Sequence, residues 1–349
     1  MNDMTQKVLV TQKVLVTGGA GYIGSHVVRQ LVAAGHDVTV YDNLSTGRRE
    51  AVLGGALIVG DLADERRLAA VFGAGDLDAV LHFAASIVVP ESVARPLDYY
   101  ANNTANALRL LTCCRLFEVD RLVFSSTAAV YGEPATGIAE ESMIPAPINP
   151  YGRSKLMTEW MLADHAAASP FRYVALRYFN AAGADLKTRI GQSFPGATHL
   201  VKVACEAAVG QRDQVTIFGT DFDTPDGTGI RDFIHVEDLA KAHLDALDYL
   251  AGDDVGSRVL NCGYGHGYSV REVLARVQAI SGRDFPIIEG NRRAGDPARL
   301  IADTRRIRDI LGWTPRHDDL DTIVATALAW ERKRAGLDPL PRLRAVNAP

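Results

Sequence analysis

The chain has 349 residues, 47% hydrophobic and 23% charged, a composition that supports a large buried core and argues against disorder. A formal net charge of −5 argues against nonspecific binding to nucleic acid, which requires a basic surface. No segment reaches the roughly 18 consecutive apolar residues of a membrane span, and the first residues do not follow the pattern of an export signal. We therefore expect a soluble, cytoplasmic protein.

Cysteine usage agrees with this expectation. The four cysteines are Cys113, Cys114, Cys205 and Cys262. None of them forms a C-x-x-C pair, and no histidine cluster lies near them. We expect reduced, packed thiols and no metal site.

The hexapeptide TQKVLV occurs twice in succession, at residues 5–10 and 11–16. Six residues are far too few for a repeat architecture. Only the second copy runs directly into a glycine-rich loop and can form a strand in front of it. Residues 1–10 are therefore predicted to be an extension with no chemical role.

From residue 13 onward, short β-rich segments alternate with helix-like ones. The predicted strands are Lys13–Thr17, Asp37–Tyr41, Ala56–Val59, Ala79–Phe83, Arg121–Ser125 and Tyr173–Tyr178. The predicted helices include Ser25–Ala34, Asn103–Phe117 and Pro150–Ala168. This alternation indicates an α/β fold with a Rossmann-type, doubly wound parallel sheet, whose carboxyl strand ends should line a ligand crevice.

The first predicted strand leads into TGGAGYIG, which should open a helix. Gly19, Gly21 and Gly24 fit the spacing G-x-G-x-x-G, and Gly18, Gly21 and Gly24 fit G-x-x-G-x-x-G. Such glycines let the backbone approach a pyrophosphate at the positive end of the helix. Asp42 ends the second strand, where a carboxylate would bind ribose hydroxyls and repel a 2′-phosphate. The pattern predicts a dinucleotide site that prefers NAD.

Two features near this site leave alternatives open. Arg48 and Arg49 would suit the extra phosphate of NADP, although Asp42 outweighs them. Asp61 follows the third strand, where it would either contact the adenine amino group or cap the next helix.

Potential reacting groups follow the fifth strand, where the hydroxyl-bearing segment SSTAAVYG should lie at the crevice. Asn149 and Pro150 suit the cap and first position of a helix, which places Tyr151 and Lys155 on one helix face. Tyrosine, with a pKa of about 10, is a poor base at neutral pH. A lysine ammonium and a nicotinamide cation would lower that pKa. Tyr151 would then exchange a proton with a carbinol while hydride moves to the cofactor.

After about residue 185 the alternation gives way to segments rich in glycine and proline. We expect residues 11–185 to form the NAD-binding domain, with a contribution from 230–262. Residues 186–229 and 263–345 would form a smaller α+β domain over the crevice.

Taken together, these motifs resemble the UDP-glucose 4-epimerase family of extended short-chain dehydrogenases. The resemblance covers nearly the whole chain, from Val14 to Trp313. The matching motifs are TGGAGYIG, YDNLSTG, HFAAS, NN, FSSTAAVYGE, PYGRSK, RYFNAAGA and GTGIRDFIHVEDLA.

The resemblance implies an isomerase that interconverts UDP-galactose and UDP-glucose through a 4-keto sugar, with NAD retained and regenerated. Tyr151 would be the acid/base, and Lys155 would hold the nicotinamide ribose. Thr127 stands where the family has a catalytic serine. The smaller domain would bind the nucleotide sugar, and helices Asn103–Phe117 and Pro150–Ala168 would form a homodimer contact.

The resemblance also implies contacts residue by residue. Positions matching cofactor contacts are Gly18, Gly21, Tyr22, Ile23, Gly24, Asp42, Asn43, Leu44, Asp61, Leu62, Phe83, Ala84, Asn103 and Lys155. Positions matching substrate contacts are Thr127, Tyr151, Phe179, Asn180, His199, Leu200, Thr216, Phe218, Arg231, Arg293 and Asp296. In the family, the two arginines grip the pyrophosphate, Thr216 and Phe218 lie at uracil, and Asp296 contacts ribose.

The chain departs from the family pattern at three positions. Ile87 replaces a lysine that contacts the cofactor in many relatives, and His199 replaces an asparagine. Leu300 falls where relatives restrict or admit 2-acetamido sugars, and it is neither a bulky tyrosine nor a small residue.

Three other functions share parts of this pattern. A 4,6-dehydratase needs an acid and a base directly after the threonine, where this chain has Ala128 and Ala129. A 4-epimerase of UDP-glucuronate or UDP-pentoses shares every motif and stays open. A non-catalytic NAD sensor is disfavoured because such proteins usually lose the Tyr/Lys pair.

Overall fold

The computed structural model describes residues 11–194, 196–293 and 295–338. The predicted extension at residues 1–10 lies outside the described residues. The strands are β1 (Lys13–Thr17), β2 (Asp37–Asp42), β3 (Ala56–Val59), β4 (Ala79–His82), β5 (Arg121–Ser125), β6 (Ile138–Ala139), β7 (Arg172–Tyr178), β8 (Asn180–Ala182), β9 (Val215–Phe218), β10 (Ile230–Arg231), β11 (Phe233–His235), β12 (Arg258–Cys262), β13 (Tyr268–Ser269), β14 (Ile287–Gly290) and β15 (Arg299–Ala302).

The helices connect these strands and cover the sheets. They are α1 (Tyr22–Ala33), α2 (Glu65–Gly73), α3 (Val89–Ala94), α4 (Pro96–Tyr99), α5 (Asn106–Leu116), α6 (Pro150–Ala168), α7 (Leu200–Ala208), α8 (Val236–Leu250), α9 (Val270–Ser281), α10 (Arg305–Leu311) and α11 (Leu320–Arg334). No helix among the described residues combines the length and the apolar character needed to cross a membrane.

Seven parallel strands form the main sheet, in the order β12-β7-β5-β4-β1-β2-β3. The chain winds from β1 toward β3 on one side and from β4 toward β12 on the other. This confirms the predicted Rossmann-type sheet. The direction of winding reverses between β1 and β4, and ligands of such sheets bind outside the carboxyl ends of the strands at that point.

The sheet is buried on both faces, which explains why its strands are almost entirely apolar. Side chains of a strand alternate between the two faces. Val14 and Val16 accordingly belong to the core cluster that includes α1 and α8, whereas Leu15 belongs to the cluster that includes α2 and α5.

Helix α6 has the predicted bounds. Its start is fixed by strong local signals in its first residues. Asn149 caps it by accepting a hydrogen bond from the Gly152 N–H at 2.9 Å, and Pro150 occupies the first position. The other two predicted helices differ at their starts. Helix α1 begins at Tyr22, directly after the glycine turn, and α5 is preceded by a π-helical turn at Tyr100–Ala105.

The smaller sheets contain four of the predicted substrate contacts, Asn180, Thr216, Phe218 and Arg231. One has the strand order β13-β10-β15-β6, and the other two pair β11 with β8 and β14 with β9. Buried Asp232 connects the first of these to neighbouring segments, since its carboxylate accepts the backbone N–H groups of Tyr264 and Gly265 at 2.9 Å each. Burial raises the pKa of Asp232 to about 6, and the backbone donors oppose that rise.

Candidate active site

A single cavity of about 1740 Å³ lies at the carboxyl ends of the central strands. Pockets for one small ligand usually measure roughly 300–1,000 Å³, so this cavity has room for two ligands side by side. The predicted site residues line it, with three exceptions, Leu44, Asn103 and Lys155.

The glycine loop fits the pyrophosphate of a dinucleotide. Gly18 has φ +73°, and a Cβ there would lie 2.5 Å from the Ala84 backbone nitrogen. A Cβ on Gly24 would lie 2.3 Å from the Gly18 carbonyl oxygen. Both positions therefore exclude side chains, and bare backbone faces the cavity at the start of α1, where N–H groups favour an anion.

Asp42 ends β2 with its carboxylate already engaged by two backbone donors. The N–H groups of Ala20 and Leu44 reach its two oxygens at 2.9 and 2.8 Å. Burial raises the pKa of Asp42, and these two hydrogen bonds oppose the rise. A carboxylate has further lone pairs for ribose hydroxyls. Leu44 contributes through its backbone, which curls back with φ +57°.

One of the two open interpretations of Asp61, as the cap of the next helix, is excluded by its neighbours. Helix α2 is capped by Asp64, which accepts the Arg67 N–H at 3.0 Å, so Asp61 is not the cap. Asp61 lines the cavity and accepts a hydrogen bond from the Asn43 amide at 2.7 Å.

Asn103, which is predicted to contact the cofactor, does not line the cavity. Asn103 is buried, and its amide bonds to the Ser86 backbone at 2.8 and 3.0 Å and to the Ser154 hydroxyl at 3.0 Å. Asn102, in the same π-helical turn, lines the cavity. Asn103 therefore positions the Ser86 loop, and Asn102 is the cavity-facing residue that the sequence analysis missed.

Tyr151 is buried in the floor of the cavity, one helical turn from Lys155. Burial raises the pKa of Tyr151, and proximity to Tyr178 raises it further. A hydrogen bond with Thr127 opposes these effects. The Thr127 hydroxyl also accepts the Ala129 N–H at 3.1 Å, so its orientation is fixed from the backbone side.

Lys155 lies beneath the cavity surface, and its Nζ donates to the Ser125 carbonyl at 2.9 Å. Burial lowers its pKa to about 7, and Glu159 opposes that change. The predicted lowering of the Tyr151 pKa by the Lys155 ammonium is therefore not produced by the protein's own groups. Burial disfavours the charged form of both side chains, and the sequence spacing does not reveal that cost.

A buried ion pair connects helix α6 to the main sheet. Arg177 donates to both carboxylate oxygens of Glu159, with the shortest contact at 2.6 Å. The Ser126 hydroxyl donates to the same carboxylate at 2.5 Å. This network joins α6 to β7 and to the end of β5, so it fixes the strand end that contributes Thr127.

Two arginines lie on the predicted substrate side of the cavity, one stacked on an aromatic ring and the other beside a carboxylate. The Arg293 guanidinium lies 3.7 Å from the centroid of the Phe218 ring. Arg231 approaches Asp296 at 3.6 Å, and burial lowers the pKa of Arg231 while Asp296 opposes this. Guanidinium groups suit phosphate oxygens.

Other predicted substrate residues lie around these arginines. Asn180 is fixed at its backbone, where its N–H donates to the Asp232 carbonyl at 3.0 Å. Leu300 is the register partner of Arg231 on the adjacent strand. His199, the N-cap of α7, and Leu200, its first residue, also line the cavity.

Residues 14–263 match the NAD dependent epimerase/dehydratase family. The chain is 55% identical to the UDP-glucose 4-epimerase of Azospirillum brasilense over 330 residues, which cover 94% of each chain. Two solved structures are also similar over nearly their full length.

The UDP-glucose 4-epimerase of Brucella ovis, solved in complex with NAD, is 45% identical with a TM-score of 0.90, covering 94% of this chain and 100% of that one. The UDP-Glc/GlcNAc 4-epimerase of Campylobacter jejuni is 49% identical with a TM-score of 0.82, covering 92% and 99%. This chain therefore belongs to the NAD dependent epimerase/dehydratase family.

Proposed function

We propose that this chain is an NAD-dependent UDP-glucose 4-epimerase, which interconverts UDP-galactose and UDP-glucose. The observation that carries the proposal is one cavity that joins a side-chain-free glycine turn, the Tyr151–Thr127 pair and two arginines suited to a diphosphate. The relatives named above share this activity in name, and one was solved in complex with NAD.

The cofactor would be held by the glycine turn at its pyrophosphate and by Asp42 at its adenosine ribose. When bound, NAD would accept hydride from the sugar C4 and return it, and its oxidised ring would add positive charge to the cavity. Positive charge is what the buried Tyr151 lacks among the protein's own groups, so binding of the oxidised cofactor would favour its phenolate.

Tyr151 would take the proton of the sugar 4-hydroxyl as C4 becomes a ketone, and would return it after the sugar has turned over. Thr127 would hold the 4-oxygen and orient Tyr151. Arg231 and Arg293 would retain the diphosphate while the sugar turns, so that the ketone is not released.

The residues directly after Thr127 are unsuited to a dehydratase. Ala128 and Ala129 line the cavity there, and neither can donate or accept a proton at C5 or C6. The chemistry proposed for this site therefore stops at oxidation and reduction of C4.

The test is incubation of the purified protein with UDP-galactose and no added NAD, with UDP-glucose followed by a coupled assay. We expect conversion in the wild type and a loss of at least about a hundredfold in Tyr151→Phe, in line with the usual contribution of a general acid/base. Tyr249→Phe, which removes a hydroxyl far from the cavity that bonds to the Gly256 carbonyl, is the matched control and should keep full activity. Bound NAD without conversion would reject UDP-galactose and direct the search to UDP-pentoses and UDP-glucuronate.

We also propose a homodimer formed through α3, α4, α5 and α6. These helices pack against one another and leave large apolar side chains in solvent, including Leu97 at 78%, Trp160 at 57% and Leu108 at 54% exposure. Large apolar side chains exposed on neighbouring helices support a protein interface at this face. The four cysteines are buried and unpaired, which supports a reducing compartment such as the cytoplasm.

A further inference from the structure

His199 directly precedes α7 and lines the cavity, where many related epimerases have an asparagine. Its Nδ1 lies 2.8 Å from the Nε2 of Gln192. An amide nitrogen can only donate, so Nδ1 must be the acceptor of this hydrogen bond. In a neutral imidazole the proton then resides on Nε2. Gln192 thus selects one of the two tautomers of His199.

Gln192 is itself held in place. It is buried, and its backbone carbonyl accepts the indole N–H of Trp330 on α11 at 3.1 Å. The amide therefore reaches His199 from a segment anchored to a separate helix. Gln192 was not singled out from the sequence, because its partners are seven and 138 residues away.

The surroundings of His199 keep it neutral. Burial lowers its pKa, and the Lys202 ammonium on α7 lowers it further. Lys202 is in turn bonded to Glu206 at 2.9 Å and to Glu331 on α11 at 2.8 Å. Each of these carboxylates also pairs with an arginine, Glu206 with Arg212 at 2.5 Å and Glu331 with Arg334 at 2.7 Å.

We propose that Gln192 is a positioning residue, which fixes the Nε2–H tautomer of His199 so that this histidine donates a hydrogen bond to a diphosphate oxygen of the bound UDP-sugar. The proposal rests on the proposed function. Among the described residues, the hydrogen bond that His199 makes to the protein uses Nδ1, so Nε2 is the ring nitrogen left for a ligand. The opposite tautomer would present a lone pair to an anion, which would be repulsive.

This arrangement explains how histidine can replace asparagine. An asparagine amide offers N–H donors without any choice of tautomer, whereas an imidazole offers one only if its other nitrogen accepts. The start of α7 adds backbone N–H groups that lack intrahelical partners, so the same wall favours an anion.

The first test is the tautomer itself. Imidazole ¹⁵N chemical shifts of the wild-type protein should show a pyridine-type Nδ1 and a pyrrole-type Nε2 for His199 from pH 6 to pH 8. A proton on Nδ1 would overturn the proposal. This readout does not depend on activity, so it separates the proposal from the proposed function, which fails if the wild type does not convert UDP-galactose.

The second test is kinetic. Gln192→Leu should raise KM for UDP-galactose by roughly three- to tenfold with kcat within about twofold, as expected for losing the orientation of one hydrogen bond. Gln278→Leu is the control and should leave KM unchanged, since Gln278 lies on α9, does not line the cavity, and donates its amide to the Phe285 carbonyl at 3.4 Å. An unchanged KM in Gln192→Leu would show that the Nε2–H of His199 does not serve the substrate, and would overturn the proposal.

A third test uses variants that retain polarity at these positions. Gln192→Glu accepts from Nδ1–H, so its KM should be closest to the wild-type value at pH 6, where the imidazolium donates from both nitrogens. KM should then rise by roughly tenfold toward pH 8.5 as Nε2 loses its proton. In a His199→Asn background, Gln192→Leu should no longer change KM, because there is no tautomer left to select. A pH-independent KM in Gln192→Glu, or an equal effect of Gln192→Leu in both backgrounds, would contradict the mechanism.

Discussion

Replacement of Lys155 by methionine should make the protein more stable at low pH relative to the wild type, although it removes a proposed catalytic group. Methionine has nearly the same length and carries no charge. The wild-type ammonium is buried, with a single carbonyl acceptor at 2.9 Å and a contact 4.9 Å from the centroid of the Phe124 ring. These contacts do not compensate for its desolvation, since burial lowers the pKa of Lys155 from 10.5 to about 7.

The sign follows from proton uptake. Between the folded and unfolded pKa values, the unfolded chain holds the lysine proton and the folded chain does not, so the free energy of unfolding rises with pH from about 7 to about 10.5. Each tenfold change in proton affinity corresponds to ~1.4 kcal/mol. The full pH-dependent term is then about 5 kcal/mol, of which about 2–3 kcal/mol falls between pH 6 and pH 9.

The measurement is equilibrium urea unfolding at pH 6, 7, 8 and 9 of protein prepared without bound cofactor. The difference between Lys155→Met and wild type isolates this one group, because all other titrations cancel. The variant's advantage should shrink by about 2–3 kcal/mol from pH 6 to pH 9. Lys187→Met, at an exposed lysine, is the control and should show no such trend. A difference independent of pH would refute the reasoning about burial.

Three further predictions concern the cofactor turn, the buried ion pair and the proposed dimer. Gly24→Ala should abolish NAD retention, measured as NAD released on denaturation, because the new Cβ would lie 2.3 Å from a carbonyl oxygen. Gly21→Ala, whose Cβ would lie 3.2 Å from that oxygen, should retain part of the cofactor, and equal retention in both variants would contradict the steric argument. Glu159→Gln should lower the free energy of unfolding by roughly 3–5 kcal/mol in urea, because it leaves a buried guanidinium without its counter-charge. A loss below about 1 kcal/mol would mean that water reaches the pair. Leu97→Glu should shift the protein from dimer to monomer in sedimentation velocity, and an unchanged dimer would remove this face from the interface.

The strands of the main sheet could be predicted closely from the sequence. Apolar runs such as Leu122–Phe124 are long enough for a strand, too short for a helix, and bounded by polar residues. The start of α6 was equally clear, because Asn149 and Pro150 act locally and do not depend on distant partners. The family resemblance then supplied the site residues that no local pattern could identify.

What could not be predicted depends on contacts between distant segments. Asn102 and Asn103 lie in one π-helical turn, and only the packed structure shows that Asn102 lines the cavity while Asn103 is buried. The burial of Tyr151 and Lys155 is likewise a property of the packed molecule. It reverses the simple expectation that a lysine four residues away lowers the pKa of a tyrosine.

The proposed epimerase activity is tested most directly by adding UDP-galactose to the purified protein without NAD and measuring UDP-glucose over time, in parallel for wild type and Tyr151→Phe. Our account predicts that the wild type approaches an equilibrium mixture of the two sugars with cofactor it already holds, and that the variant retains NAD but does not turn over. Conversion that survives in Tyr151→Phe, or a wild type that holds NAD and leaves UDP-galactose unchanged, would contradict it.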